Sequence, residues 1–295
     1  QDIFEDSKGQ IWIGTEDGLN RYDGIEFKVY KFDKKDPTSI SNSYITSLYE
    51  DRQNNLWIGT PRGLCRYNRN RDNFERIQFT DNHNNILENS VTSIFEDDSN
   101  RLWIGCGYGI YLFDRENKKF NTCFEDFFTP NSLVYCSSIC KDRNGIIWIS
   151  FLNSKDVGII KYNHVSDITT WYNTKHPEIE LKENSVTSLM VDNQNNIWVG
   201  YVSKGIDVIN NNTNVVTSYQ VDPDNNSISS NGVSSLAQNA CGKILIGTGG
   251  GGLNIFDPHT KLFSHYTTSE SDRSLLSNTI QPLHIGKDGM VWIGC

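Results

Sequence analysis

Six side chains have types and settings suited to contacting a ligand: Tyr44, Tyr108 and Tyr135, with the cations Arg62, Lys155 and Lys204. Tyrosine rings stack on the faces of sugar rings. Guanidinium and ammonium groups bind sulfate or carboxylate oxygens through charge-assisted hydrogen bonds. Together they suit an acidic or neutral oligosaccharide. The plain alternative is that each ring covers a strand end and each cation is only solvated.

Chemistry beyond binding has less support. Glycoside hydrolysis needs two carboxyl groups at a set separation. The recurring carboxylates Asp6, Asp51, Asp97, Asp142 and Asp192 instead stand three residues before a Gly or Asn, where a carboxylate closes an Asx turn. There is no Gly-x-Ser-x-Gly. Gly249–Gly252 reads as a hairpin with no helix after it, so it is not a phosphate loop. No Cys-x-x-Cys and no His pair at ligand spacing points to a metal. His83, His164, His176, His259, His265 and His284 are scattered. Cys106 and Cys295 take a slot held elsewhere by Thr15, Thr60 and Thr248, and Cys136 takes that of Val91 and Val186. They read as small apolar fillers rather than disulfide partners. The expectation is a chain with no catalytic residues, no metal and no cofactor.

The elements that must carry these side chains are short strands. Val91–Asp114 reads as apolar runs broken by Gly, Asn and Asp clusters, which is a hairpin signature. The pattern recurs at Trp12, Trp57, Trp103, Trp148, Trp198, Leu245 and Trp292, with spacings of 45, 46, 45, 50, 47 and 47 residues. A period of about 40–50 residues with four strands per unit belongs to propellers. Nine residues before the Trp slot stands an aliphatic, as in Ile3, Leu48 and Ile94. Three before it stands Gly or Asn every time: Gly9, Asn54, Asn100, Gly145, Asn195, Gly242 and Gly289. Only these residues enter positive φ cheaply, so the slot predicts a hairpin turn. Two after it stands Gly, except at Ser150. Glycine inside a strand marks close backbone approach.

D-x-x-G/N-x-φ-W-I-G-T-x-x-G-L-x-R-Y-D resembles the two-component regulator propeller repeat, most closely at Asp6–Gly24 and Asp51–Asn68. The resemblance covers essentially the whole chain. It implies the periplasmic sensor region of a Bacteroides-type hybrid two-component histidine kinase. In that family, sensors resemble two seven-bladed propellers followed by an immunoglobulin-like sandwich, a membrane helix and a kinase, with oligosaccharides as typical ligands.

The expected fold is therefore an all-β propeller of the seven-bladed type, one domain over 1–295. Blade cores are expected near 1–30, 43–80, 90–124, 134–172, 185–220 and 232–268, with half a seventh near 279–295. No helix should exceed about two turns. Because the last blade stops after its second strand, the chain is expected to be a fragment whose missing strands lie beyond one end. The net charge of −9 with no basic stripe argues against nucleic acid and against an anionic membrane surface. No apolar run reaches the ~18 residues of a membrane helix; membrane attachment would come through segments outside this chain.

Connections into the first strands and the second-to-third hairpins are expected on one face of the propeller. That rim would hold Tyr44, Arg62, Tyr108, Tyr135, Lys155 and Lys204. Blade 4 departs most from the repeat, with Ser150, Val134 and an enlarged hairpin at Leu152–Val157, and departures from a repeat are where function is grafted. The expected partners are an oligosaccharide, the adjoining propeller and sandwich domains, and a second copy in a homodimer. The competing class is an interaction scaffold or a polysaccharide-acting propeller enzyme.

Overall fold

The computed structural model describes residues 1–77, 90–124, 134–269 and 274–295. Residues 78–89, 125–133 and 270–273 lie outside the described residues. Among the described residues there is no helix, and strands form six four-stranded antiparallel sheets and one hairpin. Blade 1 holds β1 (Asp2–Glu5), β2 (Ile11–Thr15), β3 (Gly18–Tyr22) and β4 (Phe27–Tyr30). Blade 2 holds β5 (Ser47–Glu50), β6 (Leu56–Thr60), β7 (Gly63–Asn68) and β8 (Asn73–Ile77). Blade 3 holds β9 (Val91–Glu96), β10 (Leu102–Cys106), β11 (Gly109–Asp114) and β12 (Lys119–Cys123). Blade 4 holds β13 (Tyr135–Lys141), β14 (Ile147–Leu152), β15 (Ile159–Asn163) and β16 (Ile168–Tyr172). Blade 5 holds β17 (Val186–Val191), β18 (Ile197–Tyr201), β19 (Ile206–Ile209) and β20 (Val216–Tyr219). Blade 6 holds β21 (Val233–Gln238), β22 (Ile244–Thr248), β23 (Leu253–Asp257) and β24 (Leu262–Tyr266). Strands β25 (Leu283–Ile285) and β26 (Val291–Ile293) pair as a two-stranded hairpin in the register of a blade's first two strands. This is an all-β propeller architecture with six complete blades.

Local chemistry explains the strand boundaries. All seven predicted turn residues have positive φ, from 58° at Asn100 to 82° at Gly242 and Gly289. Glycine and asparagine reach that region with little steric cost, so the turn between first and second strands is placed by residue type.

The chain forms two compact units, Gln1–Ile139 and Cys140–Cys295. In the first, one core lies between blades 1 and 2, and another between blades 2 and 3. Trp12 packs edge-on to Tyr67 of the next blade at 4.9 Å, and Trp57 to Phe113 at 5.7 Å. In the second unit, Trp148 joins the core shared with Leu189 and Val199, and Trp198 meets Phe256 at 5.6 Å. These four tryptophans and Trp103 are between 0% and 3% exposed.

The glycine in each second strand has the predicted use. A Cβ on Gly14 would come within 2.6 Å of Ile45, and one on Gly105 within 2.5 Å of Cys136. On Gly200 it would meet Val233 at 2.7 Å, and on Gly247 Ile280 at 2.8 Å. The entry residue of the following blade thus packs directly on a bare backbone. Cys136 is buried there as a filler, and burial pushes its thiol well above the ordinary range. Hydroxyls one position later stitch the same seam: Thr92 Oγ1 donates to the Cys136 carbonyl at 2.6 Å, and Thr46 and Ser234 donate to those of Val91 and Ile280.

Candidate ligand-binding rim

Each complete blade has two ends with different chemistry. At the first-to-second-strand turn, Asp6, Asp51, Asp97, Asp142 and Asp192 each accept two backbone N–H bonds through Oδ1, from residues two and four positions on. The Asx turns are as predicted. The second oxygen was not foreseen: Oδ2 accepts the indole N–H of Trp12, Trp57, Trp103, Trp148 or Trp198 at 2.8 to 3.2 Å. The signal lay in the constant six-residue spacing, and in blade 6, where Asn239 and Leu245 replace both partners. The adjoining blade adds a clamp. Arg69 reaches Asp6 at 2.7 Å and Glu50 at 2.5 Å, and Arg115 reaches Asp51 at 3.3 Å and Glu96 at 2.5 Å. Burial pushes the Asp6 and Asp97 carboxyls up, but indole, arginine and backbone donors outweigh it and hold both below the usual carboxylate range. These carboxylates are buried and fully engaged, so they do not offer a catalytic pair.

At the opposite end, the entry segment of one blade bonds to the second-to-third hairpin of the blade before it. Ile45 N–H donates to the Thr15 carbonyl at 2.9 Å, and Gly18 N–H to that of Ser43 at 2.8 Å. Val134 N–H donates to the Gly107 carbonyl at 3.1 Å, while Gly107 N–H donates within its own blade to the Ser90 carbonyl at 3.2 Å. Gly205 and Gly252 make the same link to the Asn231 and Asn278 carbonyls, at 2.9 and 2.8 Å. The rim is thus defined by backbone, and its side chains are left to vary.

All six predicted contacts sit at this end of their blades. In the first unit, Tyr44 and Tyr108 are exposed, and Arg62 is exposed with its guanidinium 5.7 Å from the centre of the Phe32 ring. Tyr135 is half-buried and lies against Gly107, where a Cβ would meet its ring at 3.1 Å. Tyr108 is bridged in parallel to Val134, so Tyr108 and Tyr135 are brought together. In the second unit, Lys155 and Lys204 are exposed at hairpin tips, and their carbonyls accept Asn184 and Gln220 side chains at 2.6 and 3.0 Å. Behind Lys204 lies a buried group that sequence reading missed. Asp207 accepts the Tyr201 hydroxyl at 2.7 Å and that of Ser218 at 2.6 Å. Burial, then the Asp207 charge, raise the Tyr201 phenol far above its ordinary range, so it remains a donor. Tyr201 occupies the slot where Thr15, Thr60 and Thr248 bond a hairpin carbonyl, and that substitution was the available clue.

Comparison with known proteins places this geometry. The two-component regulator propeller family matches residues 1–17, 39–62, 85–108 and 180–202. A protein named histidine kinase P4 from Formosa agariphila is 55% identical over 40 residues, which is 14% of this chain and 3% of that protein. The chain thus spans a small part of the curated relative it matches. Among solved structures, the extracellular domain of a hybrid two-component system from B. thetaiotaomicron, BT3049, superposes with a TM-score of 0.81 at 24% identity, over 99% of this chain and 38% of that one. Virginiamycin B lyase from Staphylococcus aureus superposes with a TM-score of 0.72 at 12% identity, over 99% of this chain and 90% of that one. At such identities the likeness is one of fold. The segments that match the two-component regulator propeller family each run through the Asp turn and the Trp strand of blade 1, 2, 3 or 5.

Proposed function

We propose that this chain is a non-catalytic, extracytoplasmic ligand-binding propeller of a hybrid two-component signalling protein, located in the periplasm. In this reading the ring is of the seven-bladed type, with the β25–β26 hairpin as the start of its last blade. The ligand is an oligosaccharide. Its contacts are Tyr44, Arg62, Tyr108 and Tyr135 in the first unit, with Lys155 and Lys204 at the corresponding ends of blades 4 and 5. Binding is relayed to a histidine kinase through adjoining propeller and sandwich domains, with a second copy of the protein as the dimer partner.

The observation that carries this reading is the division of labour along each blade. The turn end is occupied by a repeated structural network, whereas the rim presents different aromatic and cationic side chains on a shared backbone frame. The family match supplies the signalling context. The likeness to a lyase concerns fold alone, and the repeated carboxylates that an enzyme would need are engaged elsewhere.

The test is calorimetry of the chain against a panel of neutral and acidic oligosaccharides, with wild type, Tyr135→Ala, and Arg62→Ala combined with Lys204→Ala. Weaker binding by either variant, with unchanged circular dichroism, supports the rim. Equal affinity in all three proteins moves the site elsewhere.

A further inference from the structure

The flank of blade 2 carries a groove that the rim does not use. Its volume is about 680 Å³, within the ~300–1,000 Å³ usual for small-ligand sites. The β7–β8 hairpin, the turn at Asn54–Asn55 and residues Pro37–Thr38 form its walls. Arg66, Arg69, Arg71 and Arg76 line it, against one carboxylate, Glu75. The chain is acidic overall, at −9, yet five of its eleven arginines fall between residues 62 and 76.

These arginines differ in how far their charge is neutralised. Arg69 is bound to Asp6 and Glu50 and belongs to the blade clamp. Arg66 shares Glu75 with Lys118, which leaves a cation in excess. Arg76 is held by neutral oxygens: Nε donates to the Ser39 carbonyl at 2.7 Å, and Nη2 to the Asp36 carbonyl at 2.8 Å and Ser39 Oγ at 2.6 Å. Its guanidinium also lies 5.2 Å from the centre of the Phe32 ring. These contacts fix the group without cancelling its charge, and Nη1 takes no part in them. Arg71 is exposed and pairs with no carboxylate among the described residues. A fixed guanidinium that forms no direct ion pair, with the Asp36 carboxylate acting on it only through space, is preorganised for bidentate binding of an oxyanion.

The rest of the lining narrows the ligand. Asparagine amides, which both donate and accept hydrogen bonds, alternate with the arginines at 68, 70 and 73. The rings of Tyr67 and Phe74 are buried at 5% and 4% exposure, so no aromatic face is open to an acyl chain or an apolar peptide side chain. We infer that this groove is a second binding site, for an acidic sugar, in which Arg66, Arg71 and Arg76 take a sulfate or carboxylate group and the asparagines take hydroxyls. The site stands apart from the rim and does not depend on it.

Calorimetry at low ionic strength tests this with three disaccharides of similar size: one sulfated, one bearing a uronic carboxylate and one neutral. Wild type should bind at least one acidic sugar and not the neutral one, and the arm that binds identifies the oxyanion. Arg71→Glu and Arg66→Ala should each weaken that binding roughly tenfold or more, with unchanged circular dichroism, and added salt should weaken it further. Binding of the neutral sugar equal to the acidic ones, absence of binding by both acidic sugars, or unchanged affinity in both variants would overturn the assignment.

Discussion

At the turn end of blades 1 to 5, an aspartate makes the same three side-chain hydrogen bonds five times. At the rim end, the tips read Glu16–Asp17, Pro61–Arg62, Gly107–Tyr108, Val202–Lys204 and Gly249–Gly251, and no two are alike. The first end holds adjacent blades in register, so each blade is under the same constraint. The second is held by backbone bonds, which constrain conformation but not side-chain identity. Uniformity therefore marks packing here, and variation marks the surface proposed for recognition.

The contrast can be broken most severely at the indole. Trp103→Ala should cost about 3–5 kcal/mol, the range for a buried large aromatic, as read by chemical denaturation; less than about 1 kcal/mol would mean that the ring is not part of the core. Gly105→Ala drives a Cβ into Cys136 and should cost about 1–3 kcal/mol, the range for overpacking. Gly109→Ala, with nothing within 4 Å of its added carbon but φ at 132°, would instead report backbone strain without a clash.

Asp97→Asn sets an amide donor against the Trp103 indole and Arg101, and should cost about 1–3 kcal/mol. It should also alter the pH profile. The folded pKa of Asp97 lies below its unfolded value of 3.8, so its contribution is present above that value and is lost as pH falls through the lowered one. Wild type should therefore lose stability more steeply than the variant on acidification below about pH 4. Asp2 acts in the opposite sense. Burial raises its carboxyl to about 6, so its contribution is present below 3.8 and is lost as pH rises through about 6. Thermal melts from pH 2 to 8 on wild type, Asp97→Asn and Asp2→Asn separate the two trends.

Blade 6 offers a reconstruction. Leu245→Trp with Asn239→Asp should be about 1 kcal/mol more stable than Leu245→Trp alone, because the added carboxylate gives the indole N–H an acceptor. A double variant no better than the single one would show that the bond needs more of the blade than these two residues. At the rim, Tyr108→Ala and Lys155→Ala should change stability by no more than about 0.5 kcal/mol. A larger loss in either would make that residue structural and remove it from the recognition surface.

Much of the fold was legible because it rests on residue type at fixed spacing. Positive φ at Asn54 or Gly145 follows from the cost of a side chain in that region, and the glycine of each second strand was recognisable as a contact point. The indole–carboxylate bond was equally legible in its six-residue spacing but went unread. The rim positions could be named from their variation, but their states could not: Tyr135 rests on Gly107, and Arg62 lies over Phe32, because of packing between segments remote in sequence.

By itself, the sequence determined the period, the turns and the strand order, since each depends on interactions within one repeat of about 45 residues. It also determined the cluster of arginines between 62 and 76. Only the tertiary structure decided which of those arginines are neutralised. Arg69 meets Asp6 across 63 residues of chain and Arg76 meets Ser39 across 37, while Arg71 meets no carboxylate among the described residues. A charge is cancelled by what lies within a few ångströms, and that neighbourhood exists only once the blades have packed.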